Sequence, residues 1–211
     1  MPAYTPSTPD GLAGQLASTI TALPAAHPVR VGLDAPRCAD LNNILARVTD
    51  RLERSGRQVA LVRAEDFYRD ASVRLEYGRT DVESFYSGWL DSAALAREVL
   101  TPAVSEHPQY LPSLRNPGNN RSTRAVPVPL AANGVVLITG ELLLGAGLAF
   151  DLSVYFSVSR QARRRLTAPD WAWTLPAWDR YEIEVDPAAC AALVVRFDDP
   201  ARPAVASSTR G

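Results

Sequence analysis

Apolar residues gather along this chain in short, nearly continuous runs, separated by stretches in which they return at helical spacing. The runs are "VRVGL" at 29–33, "QVALVRA" at 58–64, "GVVLITG" at 134–140, "LSVYFSV" at 152–158 and "ALVVRF" at 192–197. Such runs predict strands covered on both faces. Between the first two, Leu41, Ile44, Leu45, Val48 and Leu52 recur at helical spacing across 41–55, and Gly56 follows as a stop. A further helix is predicted over 91–104 from an Asp91 or Ser92 cap, and a short amphipathic one over 11–23. The proline-bearing segment 1–10 reads as a loose tail, and 105–130, rich in Pro, Asn and Arg, as irregular chain with a short edge hairpin. Strands alternating with helices predict an α/β fold, a three-layer sandwich with a five-stranded, mainly parallel sheet. No internal repeat is visible. The expected organisation is a tail and short helix at 1–28, a single domain at 29–205 and a C-terminal tail at 206–211.

Composition narrows the function. With 46% hydrophobic residues and a net charge of -1 over 211 residues, neither disorder nor a nucleic-acid-binding polycation is favoured. No apolar run is long enough for a bilayer, and "MPAYTPSTPD" lacks the basic and apolar parts of an export signal, so a cytoplasmic protein without membrane partners is expected. Cys38 and Cys190 are too few for a disulfide framework, and His27 and His107 are too isolated for a zinc site. All 22 basic side chains are arginine. No lysine ammonium is available to any site.

That absence bears on "VRVGLDAPRCADLNN", residues 29–43. The stretch has the outline of a phosphate loop, a strand followed by a small-residue turn and a helix. In the form G-x-x-x-x-G-K-[ST], glycines let backbone N–H groups close around phosphate, lysine neutralises charge and the hydroxyl holds Mg²⁺.

Several further stretches, in order, resemble the uridine kinase group of P-loop kinases, especially its short bacterial members. "VRAEDFYR" at 62–69 is similar to the family's D-[SD]-F-[YH]-R segment. "YGRTDVESFYSGWLDSAALAREVLTPA" at 77–103 resembles its substrate side, "VVLITGELLL" at 135–144 its [DE]-G strand, "DLSVYFSVS" at 151–159 the next strand, and 181–203 its closing segment. The resemblance implies a nucleoside/nucleotide kinase-like P-loop architecture, with ATP and Mg²⁺ as cofactors if the protein is active and none otherwise.

The departures cluster at the chemistry. Ala35 and Asp40 stand at the loop glycines, Leu41 at the lysine, Asn42 and Asn43 at the hydroxyl pair, and Thr139 at the third-strand acid. A carboxylate facing phosphate at about 4 Å costs roughly 1–4 kcal/mol, depending on screening. Arg37, within the loop beside Cys38, and Arg163, Arg164 and Arg165, where the family's lid would begin, are candidate substitutes for the lysine. By resemblance, Glu65 or the adjacent Asp66 would act as base towards a substrate hydroxyl, and Asp81 (Thr80 in a shifted register) would contact a sugar. Asn42, Glu65 and Glu141 are the candidate metal ligands. Tyr68, Tyr77, Phe85 and Tyr86, with Phe67 and Trp89, form a candidate substrate pocket, and Trp171, Trp173 and Trp178 a packed flap or interface.

Three functions follow. The first is a degenerate kinase relative, weak or inactive in phosphoryl transfer, retaining a cleft for a nucleoside-like or sugar-like ligand or a partner. The second is an active kinase of a nucleoside or other small hydroxylated molecule, with arginines gripping ATP. The third is a repurposed non-kinase enzyme or scaffold subunit, with a homodimer or protein partner in view.

Overall fold

The computed structural model describes residues 4–24 and 26–207, with the side chain of Ser207 excepted. Nine strands occur among them: β1 (Thr5–Pro6), β2 (Val29–Asp34), β3 (Val59–Arg63), β4 (Gln109–Tyr110), β5 (Val128–Pro129), β6 (Val135–Gly140), β7 (Leu152–Ser157), β8 (Leu193–Arg196) and β9 (Ala204–Ser207). Seven build the main sheet, in the order β1-β9-β8-β7-β2-β6-β3, while β4 and β5 form a separate hairpin. The five apolar runs are its five parallel strands. The sheet is larger than the five strands expected because β9 and β1 add an antiparallel edge. Two to four residues carry no readable period, and the proline in β1 is tolerated at an edge.

Both faces are covered. Strand alternation sends Val135 and Leu137 into one core and Val136 and Ile138 into the other. The first core packs against α1 (Pro9–Ala22) and α2 (Asn42–Arg54). The segment expected as a tail therefore supplies an edge strand and the first turn of α1. Thr8 caps that turn by accepting from the Gly11 amide at 3.0 Å, and Pro9 sits where a helix has no use for its missing N–H. Of the expected C-terminal tail, 206 and 207 belong to β9, and 208–211 lie outside the described residues.

The second core packs against a helix that begins at α4 (Ser92–Leu95), runs through a wide π-type stretch (Ala96–Leu100) and closes at α5 (Thr101–Ala103). Asp91 caps it through the Ala94 amide at 2.9 Å. Pro102 cannot donate to the Glu98 carbonyl; Leu111 N does so instead, at 2.9 Å. Between β3 and α4 lie a 3₁₀ turn (Ala64–Phe67), α3 (Ala71–Arg74) and a π turn (Ser84–Gly88). After β7 come α6 (Arg160–Leu166), a 3₁₀ segment (Pro169–Thr174), α7 (Leu175–Glu184) and α8 (Pro187–Cys190). No helix among the described residues is long and apolar enough to cross a membrane.

Strand β2 sits between β7 and β6, and the chain leaves it for β3 on the far side of β6. Such a switch point opens a crevice beyond the carboxyl ends of the strands. Residues 35–42, 65 and 139–141 all meet there.

Candidate functional site

The turn after β2 is closed by its own hydrogen bonds. Ala35 N donates to Gly140 O at 2.9 Å, Ala39 N to Pro36 O at 2.7 Å, and Pro36 has no N–H to offer. Asp40 Oδ1 accepts from the Asn42 amide at 2.9 Å, so a carboxylate occupies the first amide of α2, at the end where a phosphate would lie. Leu41 is 6% exposed and joins the core under α1 and α2. Asn43 Oδ1 accepts from Arg47 Nε at 2.7 Å.

An anion nevertheless sits against the loop, and it comes from the protein. Glu141, one residue beyond β6, points back so that Oε1 accepts from the Arg37 amide at 3.0 Å and from Trp178 Nε1 at 3.3 Å. Its Oε2 accepts from Arg37 Nε at 3.1 Å and is ion-paired with Nη2 at the same distance. Burial raises the Glu141 pKa, and the Arg37 guanidinium pulls against it. The Trp171 ring covers Arg37 from outside, 3.9 Å from guanidinium carbon to ring centre. Glu65 completes the cluster with Oε2 3.9 Å from Arg37 Nη1.

Three clefts open around Glu141. A loop-side cleft of about 320 Å³ is lined by residues of the turn with Arg63, Glu65, Tyr68, Thr139 and Glu141. Its ionisable lining is Arg37 and Arg63 against Asp40, Glu65 and Glu141, three carboxylates to two guanidiniums. A ring-walled cleft of about 270 Å³ is lined by Tyr68, Phe85, Tyr86, Trp89 and Tyr181, with Glu141 its one charged side chain. A third, of about 250 Å³, lies under Trp171 and reaches Cys38, Arg163 and Trp178. Glu141 lines all three, and Tyr68 separates the first two.

The residues expected at the site divide. Ala35, Arg37, Asp40, Leu41, Asn42 and Glu65 meet in the loop-side cleft, Cys38 lies beside it, and Tyr68, Phe85 and Tyr86 line the ring-walled one. Six do not take the places expected of them, the first being Asn43, which is bonded to Arg47 on α2 and lines none of the three clefts. Arg163 is 1% exposed and locked to Glu182 at 2.6 Å and Asp179 at 3.0 Å, a buried cation already paired that reaches the third cleft but not the loop-side one. Arg164 is exposed on α6 and lines none of these clefts. Asp66 turns from the clefts to Arg63, at 3.2 Å, because it occupies the buried side of the 3₁₀ turn. Asp81 caps the Ser84–Gly88 turn through the Ser84 amide at 2.7 Å, and the Ser84 hydroxyl followed by that amide lowers its pKa. Tyr77 is 75% exposed beside Gly78, whose φ of 117° carries the chain outward. Trp171 and Trp173 stack with 6.1 Å between ring centres, and Phe85 and Trp89 contact Trp173 edge-on or tilted, so the tryptophan segment is packed against the cleft wall.

One buried acid was not anticipated. Asp34 ends β2 at 0% exposure. Its Oδ2 contacts the Tyr181 hydroxyl and accepts from Leu144 N at 3.3 Å, while Oδ1 has no partner among the described residues. Tyr181 Oη also lies 2.8 Å from Leu144 O. One phenolic proton cannot serve both acceptors. A proton on Asp34 resolves this: the acid donates to Tyr181, and Tyr181 donates to Leu144. Burial pushes the Asp34 pKa in the same direction, up to about 6. The available signal was an ionisable residue closing a strand buried on both faces.

ATP with Mg²⁺ does not fit this arrangement. The loop-side cleft carries more negative than positive groups, the lysine position is apolar, and the guanidinium best placed for phosphate is held by Glu141. Among the described residues no three His, Cys, Asp or Glu side chains gather as metal ligands; Asn42, Glu65 and Glu141 line the loop-side cleft together, with Glu141 engaged by Arg37.

No protein-family model and no curated protein matches this sequence. Solved structures do. A possible uridine kinase from Bacillus stearothermophilus is 18% identical, with a TM-score of 0.70 over 87% of this chain and 96% of that one. The YGR205w protein is 10% identical, with a TM-score of 0.61 over 95% and 99%. The chain has the fold of uridine-kinase-like P-loop kinases.

Proposed function

We propose that this protein is a P-loop-kinase fold that has ceased to hold Mg-ATP and uses its paired clefts to bind a small molecule of nucleoside-like or sugar-like size. The observation that carries the reading is the Glu141 carboxylate, which engages the Arg37 amide and one edge of its guanidinium at 3.0–3.1 Å where a phosphate loop must keep donors open. Apolar Leu41 and the carboxylate of Asp40 act in the same direction. Shape survives on the other side of Tyr68, where rings from the strand-to-helix segment and α7 wall a cleft large enough for a small ligand. Calorimetric titration with Mg-ATP tests the reading. No saturable heat is expected at millimolar nucleotide, and a micromolar affinity sinks it.

An active phosphotransferase draws support from one observation: Glu65 lines the loop-side cleft within 3.9 Å of Arg37, near where an acceptor hydroxyl would be deprotonated. Transfer of labelled phosphate to nucleosides or sugars, lost in Glu65→Gln, is the result that would favour it.

A further inference from the structure

Three N–H donors and one ion-pair contact converge on the Glu141 carboxylate. The Arg37 amide and the Trp178 indole donate to Oε1; Arg37 Nε donates to Oε2, with Nη2 ion-paired to the same oxygen at 3.1 Å. This is a recognition set for one planar, two-oxygen anion, with the amide and indole fixing one oxygen and the guanidinium the other. A phosphate would present further oxygens to the same place. The next group beyond the guanidinium is Glu65, 3.9 Å from Nη1, which repels them. The donors are also fixed in place. Trp178 is buried at 1% exposure, the Arg37 amide belongs to a closed turn, and its guanidinium is held under the Trp171 ring.

The anion occupying this set sits at the common wall of three clefts. It is attached one residue beyond the end of β6, so the side chain can leave the donors for an adjoining cleft without the sheet moving.

We infer that Arg37 and Trp178 form a carboxylate-binding site, that Glu141 is its resident plug, and that a small-molecule ligand bearing a carboxylate binds by exchanging with it. The inference rests on the reading that the loop no longer holds ATP, and it assigns the ligand one chemical group. The body of the ligand then lies in the ring-walled cleft or under Trp171, and displaced Glu141 turns towards water.

The plug can be removed cleanly. Glu141→Ala deletes one methylene and the carboxylate, which together are the size of acetate. Acetate should bind E141A about tenfold or more tightly than the wild type by calorimetry. It should also raise the melting temperature of E141A above that in chloride of equal ionic strength, and shift tryptophan emission through Trp171 and Trp178. Inorganic phosphate should do less, and Arg37→Gln in the E141A background should erase the acetate effect. Folded E141A that treats acetate and chloride alike overturns the inference. So does a phosphate effect larger than that of acetate, which makes the site a phosphate cradle. Should E141A not fold, Glu141→Gln keeps the shape while turning an amide donor towards Arg37. E141Q should then bind acetate more tightly than wild type, and equal affinities overturn the inference. Mg-ATP binding to the wild type would sink the proposed function by itself, whereas failure of acetate in folded E141A leaves that reading standing.

Discussion

The two clefts that share Tyr68 and Glu141 are built from different materials. The loop-side cleft holds charge, yet its charges are satisfied within the protein. The Arg37–Glu141 pair closes on itself, and Asp40 is spent on the start of α2. The ring-walled cleft has one charged lining residue, and its rings are held in place by one another, with edge-on pairs such as Phe85–Trp89 at 5.3 Å between centres. Complementarity to a charged ligand is lost with a few substitutions because it depends on specific unpaired groups. A ring-lined cavity resists such loss because its walls are also core.

The sharpest way to break this contrast is at Arg37. Arg37→Ala leaves the enclosed Glu141 without its guanidinium, and because Arg37 itself is a third exposed the cost is about 3 kcal/mol, the low end for a buried pair. Urea unfolding at neutral pH should show that loss. The sign of its pH dependence follows from the raised Glu141 pKa. A raised acid contributes stability below its ordinary value of 4.5 and loses it as pH rises through the folded-state pKa. The gap between R37A and wild type should therefore widen as pH rises. A loss under about 1 kcal/mol would make the pair no more than a surface contact.

The second break lies behind the ring-walled cleft, at Asp34. Raising this carboxyl from 3.8 to about 6 corresponds to about 3 kcal/mol of preference for the protonated form. Its contribution is complete below pH 3.8 and disappears as pH rises through about 6. Asp34→Asn, neutral at every pH, should flatten that segment of the stability curve and be the more stable protein above pH 6. Denaturation at a series of pH values decides it; an unchanged slope would show that Asp34 is already ionised in the fold.

These two acids also mark what could be read in advance. The five parallel strands were legible because each is a continuous apolar run, and α2 because Leu41, Ile44, Leu45, Val48 and Leu52 keep helical spacing. Strands β1 and β9 were not, since two and four residues show no period. At the site, Glu141 was singled out as a candidate metal ligand, and it lines the loop-side cleft together with Thr139. Its partners are Arg37, 104 positions earlier, and Trp178, 37 later. No local spacing encodes those contacts; only the crossing of β2, β6 and α7 brings them together. For the same reason the "RRR" of α6 read as three equivalent arginines, although the fold buries Arg163 and leaves Arg164 exposed.

Restoring the missing lysine sharpens the comparison with a smaller effect. Leu41 touches both the core and the loop-side cleft, so Leu41→Lys can bury its stem and extend the ammonium outward, at a cost of about 1–2 kcal/mol. Mg-ATP affinity should remain unmeasurable, because Asp40, Glu65 and the plugged Arg37 stay in place. Nucleotide binding by L41K would mean that the loop lacked only its lysine.

The smallest effect is expected at Tyr86, and it separates the rings from their polar tips. Its hydroxyl donates to Glu184 at 3.0 Å on an exposed edge, and Arg180 lies 4.2 Å over its ring centre. Tyr86→Phe gives up one solvent-accessible hydrogen bond, about 0.5 kcal/mol, and leaves the wall of the cleft standing. Ligand affinity should survive that change and fall about tenfold in Tyr86→Ala, which takes the wall away. If instead Tyr86→Phe alone abolishes binding, recognition on this side runs through the hydroxyl. The ring-walled cleft would then be as dependent on individual polar groups as the loop it is set against.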